Sequence, residues 1–181
     1  AMSGVTIMLL DEGMDTGDML KKAELMLDPK ETTGSLFDKL SIIGAETLIP
    51  VLHDLPSYVK NAEPQDESQA TYTAKISKEM AALDLSSDAV TLERLIRTFD
   101  PQPGAYLMHD GKRLKIWSAD VVPGTDVAPG TIIEVAKKYF TVQTGKDALK
   151  IKEVQPESRK RMACAQFLQG CHLAVGDTVG K

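Results

Sequence analysis

Asparagine occurs once in this chain, at Asn61, and histidine three times, at His53, His109 and His172. The two cysteines, Cys164 and Cys171, sit seven residues apart with no second pair. That arrangement fits neither a disulfide framework nor a thiolate zinc site, and it points to a reducing, cytoplasmic compartment. No apolar run approaches the roughly 18 residues that a membrane span requires. The opening Ala1-Met2-Ser3-Gly4-Val5 lacks the basic and apolar regions of a secretion signal. No membrane partner is therefore expected.

What is present suits a folded protein. Of 181 residues, 43% are apolar and 26% charged, with 13 glycines and 9 prolines. These proportions exclude a disordered or collagen-like chain, and the length suits one large domain or two small ones. Charge is unevenly spread. Residues 1–70 hold 13 acidic and 5 basic side chains, whereas residues 71–181 hold 13 acidic and 16 basic ones. Within residues 137–161 there are eight Lys or Arg against three Asp or Glu. The contrast suggests two modules, the second able to meet a polyanion, although an ordinary solvated surface would give the same counts.

Val5 to Leu10 is a short run with β-branched residues and reads as a buried strand; Met19 to Leu27 follows as a second strand beyond the turn cluster Asp15-Thr16-Gly17-Asp18. Thr33 and Ser35 offer helix caps, and Leu36, Leu40, Ile43, Thr47, Leu48 and Val51 recur at helical spacing. The helix is expected to run to about Asp54 and to end at Pro56. Gly44 costs it about 1 kcal/mol relative to Ala and suggests a close approach to the sheet. Residues 56–74 lack apolar periodicity and read as a linker. A second helix is expected from Ser86 or Ser87 to Phe99. Short strand candidates follow around Ala105–Met108, Arg113–Val121, Gly130–Ala136, Tyr139–Thr144 and Ala148–Val154, with a short helix within Ser158–Leu168. Strands at this spacing without crossover helices indicate a small barrel. Trp117 and Phe99 lie in apolar runs and are expected in its core. The domains are therefore read as 1–55, a 56–74 linker and 75–181.

Five stretches in order carry a resemblance. Val5 to Met19, VTIMLLDEGMDTGDM, is similar to the end of the catalytic domain of methionyl-tRNA formyltransferases. Glu31 to Leu40 resembles that family's next helix, and Gln69 to Glu79 its linker into the C-terminal domain. Arg97 to Ala105 and Lys115-Ile116-Trp117-Ser118-Ala119 resemble its helix-to-barrel signature. The fold class implied is α+β: the end piece of a Rossmann-like formyltransferase domain, strands plus one helix, followed by a small open β-barrel of the oligonucleotide-binding type.

The resemblance implies formyl transfer from 10-formyltetrahydrofolate to the α-amino group of methionyl initiator tRNA, in the cytoplasm and without a metal. It implies a site of Asn, His and Asp, the Asp orienting the His and supporting its positive charge. The motif places that catalytic Asp at Asp15; the alternative for Asp15 is a carboxylate that only caps a tight turn. The family's Asn-x-His motif has no counterpart here, because Asn61 lies in the linker segment and no histidine follows an Asn at that spacing. The 181 residues alone are accordingly expected not to transfer formyl groups. Substrate tRNA is expected to meet Lys75 and Lys78 at the linker exit, Lys112 and Arg113 at a hairpin, and Lys150 and Lys152 on one side of a strand. Lys115 adds charge beside the hairpin. The full enzyme is expected to be monomeric, while these residues alone are expected to self-associate through orphan strands. Two alternatives stay open: a non-catalytic RNA-binding barrel module, and a formyltransferase-superfamily relative acting on another amine.

Overall fold

The computed structural model describes residues 1–180. It divides into two units, Ala1–Lys75 and Ile76–Lys181.

The first unit is built on a hairpin. β1 (Met2–Met8) and β2 (Met19–Met26) pair antiparallel, with Val5 opposite Ala23 and Ile7 opposite Lys21. α1 (Thr33–His53) packs on this pair. Its cap lies one residue earlier than expected. Thr32 is the N-cap and exchanges hydrogen bonds with Ser35, which forms a capping box. Pro50 lies inside the last turn of the helix. Gly44 faces Val5, but an added Cβ would meet Val5 Cγ1 at 3.7 Å, an ordinary contact. The helix–sheet approach therefore leaves room for a methyl group, contrary to the expectation from sequence.

Pro56 does not close the helical region. It stands in the first turn of α2 (Leu55–Lys60), where a missing N–H costs nothing. Met19 and Glu63 then exchange backbone hydrogen bonds of 2.7 and 2.9 Å, which lays residues near 63 along the outer edge of β2. A single 3-10 turn, Glu67–Gln69, follows. The segment read as a linker is thus partly folded onto the hairpin, because its backbone can complete a strand edge without apolar side chains.

The second unit carries the core. α3 (Ala89–Thr98) is capped by Asp88, whose carboxylate accepts from Thr91 N at 2.9 Å, rather than by Ser86 or Ser87. The strands are β3 (Tyr106–His109), β4 (Lys112–Val122), β5 (Ile132–Val135), β6 (Phe140–Gln143), β7 (Ala148–Pro156) and β8 (Met162–Ala163), followed by α4 (Cys164–Gly170). They form one antiparallel sheet in the order β3-β4-β7-β6-β5, with β8 added to β7. The register of β4 on β7 shifts between Ile116 and Ala119. On either side of that bulge the buried positions change parity, from Leu114 and Ile116 to Ala119 in β4 and from Leu149 and Ile151 to Val154 in β7. A bulge that swaps faces in two neighbouring strands bends both, and the sheet curls into a half-barrel around Leu92, Ile96, Ile116, Phe140, Leu149 and Ile151.

β5 and β3 do not pair with each other; the C-terminal segment spans the seam. Ile132 exchanges hydrogen bonds with Gly176 and Asp177, Val179 N donates to Gly130 O, and Gly180 N donates to Met108 O at 2.7 Å. Val179 is buried there.

Candidate catalytic loop and nucleic-acid face

The loop between β1 and β2 is shaped by its own side chains. Asp11 Oδ1 accepts from Gly13 N at 3.0 Å and from Thr16 Oγ1 at 2.6 Å, an Asx turn of the kind that competes with regular structure. Leu9 N donates to Asp18 O at 2.9 Å and closes the loop. Gly17 is buried against that closure; a Cβ there would run into Leu9 O, so no other residue fits without moving backbone. Asp15 adopts φ 58, the left-handed region that aspartate tolerates better than most residues. Its carboxylate is exposed and takes part in none of these hydrogen bonds. The turn-capping role belongs to Asp11, which leaves the Asp15 carboxylate available to another group.

The loop is also held from outside. Gln65 Nε2 donates to Asp15 O at 2.7 Å and to Gly17 O at 2.8 Å. Nothing in the sequence pattern marked Gln65, because the bond spans about fifty residues and its acceptors are main-chain atoms. Asp15, Met14, Thr16, Met19, Lys22 and Gln65 line a cleft of about 660 Å³ with residues 66, 67 and 69–73. Met14 and Asp15 are exposed, so these residues form an open wall and not an enclosing pocket. Among the described residues no group of His, Cys, Asp and Glu is disposed to hold a metal ion.

The histidines are placed elsewhere. His53 ends α1 and is exposed. His109 Nε2 lies 3.2 Å from Cys171 Sγ and 3.5 Å from Asp110. Burial raises the Cys171 thiol above its ordinary pKa, with the Asp110 and Asp177 carboxylates adding to the shift. The Cys164 thiol is pushed up to about 11, chiefly by burial. Neither sulfur is a ready thiolate.

The basic residues fall into separate groups. Lys112 and Arg113 are exposed at the β3–β4 turn and share a cleft of about 580 Å³ with Arg159. Arg113 also lies over the Tyr106 ring, 4.7 Å from its centroid. Lys150 and Lys152 share a side of β7. Lys150 Nζ sits 3.9 Å from the Tyr139 centroid, and Lys152 Nζ pairs with Asp120 at 2.9 Å. The two groups are about 25 Å apart along β4, at roughly 3.3 Å per residue, well beyond the ~10 Å over which exposed charges feel each other. Lys75 and Lys78 are both exposed and lie either side of the division between the units. Lys115 donates to Pro103 O at 2.7 Å. Trp117 is 8% exposed, with its indole N–H donated to Gln155 Oε1 at 3.1 Å and Arg161 over its ring; Phe99 is buried. Both aromatics are packing groups.

A two-stranded end piece under one helix, joined to a curled antiparallel half-barrel, is the arrangement of formyltransferases, and the chain belongs to that family. The formyl transferase model matches residues 1–52, and the formyl transferase C-terminal domain model matches residues 75–172. More particularly, the chain is a homologue of methionyl-tRNA formyltransferases. It is 46% identical to that of Agathobacter rectalis over 175 residues, covering 96% of this chain and 56% of the relative. It is 43% identical to that of Lachnospira eligens, covering 99% of this chain and 59% of the relative. The chain thus spans little more than half the length of these relatives. Among solved structures, methionyl-tRNA formyltransferase from Clostridium thermocellum aligns at TM-score 0.54 and 26% identity, over 68% of this chain and 53% of that one. HypX from Aquifex aeolicus, in complex with tetrahydrofolic acid, aligns at TM-score 0.64 and 20% identity over 92% of this chain and 30% of that one, a likeness of fold.

Proposed function

We propose that these residues are the aspartate-bearing and tRNA-binding part of a cytoplasmic methionyl-tRNA formyltransferase. The observation that supports this most is the exposed Asp15 carboxylate, free of turn bonds, on a loop fixed at both ends within a chain 46% identical to such an enzyme. In formyl transfer the methionyl amine attacks the formyl carbon of the folate donor, an oxyanion develops and the attacking nitrogen sheds a proton; the oxyanion then collapses, the bond from the formyl carbon to the folate nitrogen breaks, and tetrahydrofolate leaves as that nitrogen takes up a proton. Asp15 accepts the N–H of a histidine that receives this proton, fixing its tautomer and offsetting its charge. That histidine and an asparagine for the oxyanion come from outside these residues.

The domains follow as 1–55, 56–74 and 75–181, the last binding tRNA through phosphate contacts. Lys75, Lys78, Lys112, Arg113, Lys150 and Lys152 are the proposed contacts. The open face of α1, with Phe37 72% exposed and Ile42, Ile49 and Leu52 also exposed, receives the rest of the formyltransferase domain. Without it, the chain pairs with a second copy.

The test is formylation of methionyl-tRNA. The purified 181 residues alone should show none. Placed behind the upstream segment of the Agathobacter rectalis enzyme, they should restore turnover, and Asp15→Asn should lower kcat by about 10³-fold or more. Activity of the isolated chain, or full activity of the Asp15→Asn variant, overturns the assignment.

A further inference from the structure

The side chain that holds the Asp15 loop from outside the hairpin, Gln65, lies in residues 53–74, which neither family model matches. We propose that Gln65 is a positioning residue for formyl transfer: its two amide hydrogens, donated to Asp15 O and Gly17 O, set the aim of the Asp15 carboxylate. The inference rests on the reading of Asp15 as the carboxylate of the site.

The geometry suits that task. A primary amide offers two donors at fixed angles, and the two acceptors are the carbonyls either side of Thr16, at 2.7 and 2.8 Å. Both carbonyls are thereby fixed while Asp15 holds φ 58. A residue in a sparsely populated backbone region persists when its surroundings over-determine it. Here three restraints do so: the Leu9–Asp18 closure, the Asp11 turn and the Gln65 clamp. The first two lie within the hairpin, whereas the third fixes the loop to a separate stretch of chain.

That stretch is itself anchored. Glu63, two residues before Gln65, exchanges backbone hydrogen bonds with Met19, and its carboxylate pairs with Lys22 at 3.0 Å. Asp66, next after Gln65, caps the 3-10 turn by accepting from Ser68 N at 3.0 Å and Ser68 Oγ at 2.6 Å. The amide therefore extends from a backbone held on both sides. The carboxylate it aims has to meet a partner within hydrogen-bond reach, and a misplacement of about 1 Å can cost ~10²-fold in rate.

Two measurements test the clamp. In the 181-residue chain, Gln65→Ala should speed hydrogen exchange at the Leu9 and Gly13 amides about tenfold while leaving barrel amides unchanged. In the active chimera with the Agathobacter rectalis upstream segment, Gln65→Ala and the isosteric, donor-free Gln65→Met should both lower kcat about tenfold or more, with KM for methionyl-tRNA within about twofold. Wild-type kcat in the Gln65→Met variant, or a change in KM alone, overturns the proposal, because packing of the side-chain stem would then suffice. A chimera inactive with native Gln65 counts against the formyltransfer reading instead, and the exchange result still decides whether the clamp exists: unchanged rates overturn it.

Discussion

Glu31 is a carboxylate buried among partners at the start of α1, its side chain 6% exposed. Lys39 Nζ bonds its Oε2 at 2.6 Å, Ser35 Oγ donates to its Oε1, and Asp28 N donates at 3.2 Å. Those bonds, the one from Lys39 foremost, lower its pKa from 4.5 to about 2. A folded-state pKa below the unfolded one contributes stability that is complete above the unfolded value and lost as pH falls through the folded one. Urea titrations should therefore show stability falling between about pH 5 and pH 2, and Glu31→Gln should be less stable at pH 7 and flatter across that window. Two glycines should respond oppositely. Gly17→Ala forces a Cβ onto Leu9 O and should destabilise the first unit by about 1–3 kcal/mol. Gly44→Ala has room against Val5 and should stabilise α1 by about 1 kcal/mol. Thermal melts of the two variants separate these cases.

At the scale of elements, β7 presents two lysines of unequal freedom. Lys152 is already paired with Asp120, while Lys150 rests on an aromatic ring and, among the described residues, has no carboxylate bonded to it. Lys150→Ala should reduce the salt slope of tRNA binding by about one unit, and Lys152→Ala by less; equal or null slopes would remove β7 from the interface. These elements were largely legible. Short β-branched runs between Gly, Pro and Asp turns located all five longer barrel strands, and the helical spacing of Leu36 to Val51 located α1. Caps were misplaced by one or two residues, since Thr32 and Asp88 compete with equally good neighbours and only tertiary position selects between them. The Asp15 loop was legible as a motif. The Gln65 clamp and the Glu63 edge pairing were not, because both consist of hydrogen bonds to main chain, which leave no trace in side-chain pattern.

The whole molecule divides its apolar burial unevenly. The core cluster lies entirely between Ala81 and Val179, whereas Val51 is the one fully buried apolar side chain of the first unit among the described residues. One helix on two strands cannot cover itself: Phe37, Ile42, Ile49 and Leu52 stay exposed, and among the described residues β1 pairs only with β2, an open edge beside apolar side chains that invites association. Sedimentation should show the isolated chain passing from monomer to dimer with concentration, and Ile49→Glu with Leu52→Lys should hold it monomeric. Dimers that survive those charges would place the contact elsewhere. The barrel keeps its integrity differently, through the strap of residues 176–180 across the seam between β5 and β3. Sheet closure there depends on residues that leave a ribosome after every strand they fasten. Until Gly176, Asp177, Val179 and Gly180 are in place, Ile132, Gly130 and Met108 have backbone groups without these partners. The half-barrel can gather its strands as they are synthesised but is fastened only once residues 176–180 have emerged, so a ribosome that stalls shortly before them would present a barrel with an open seam.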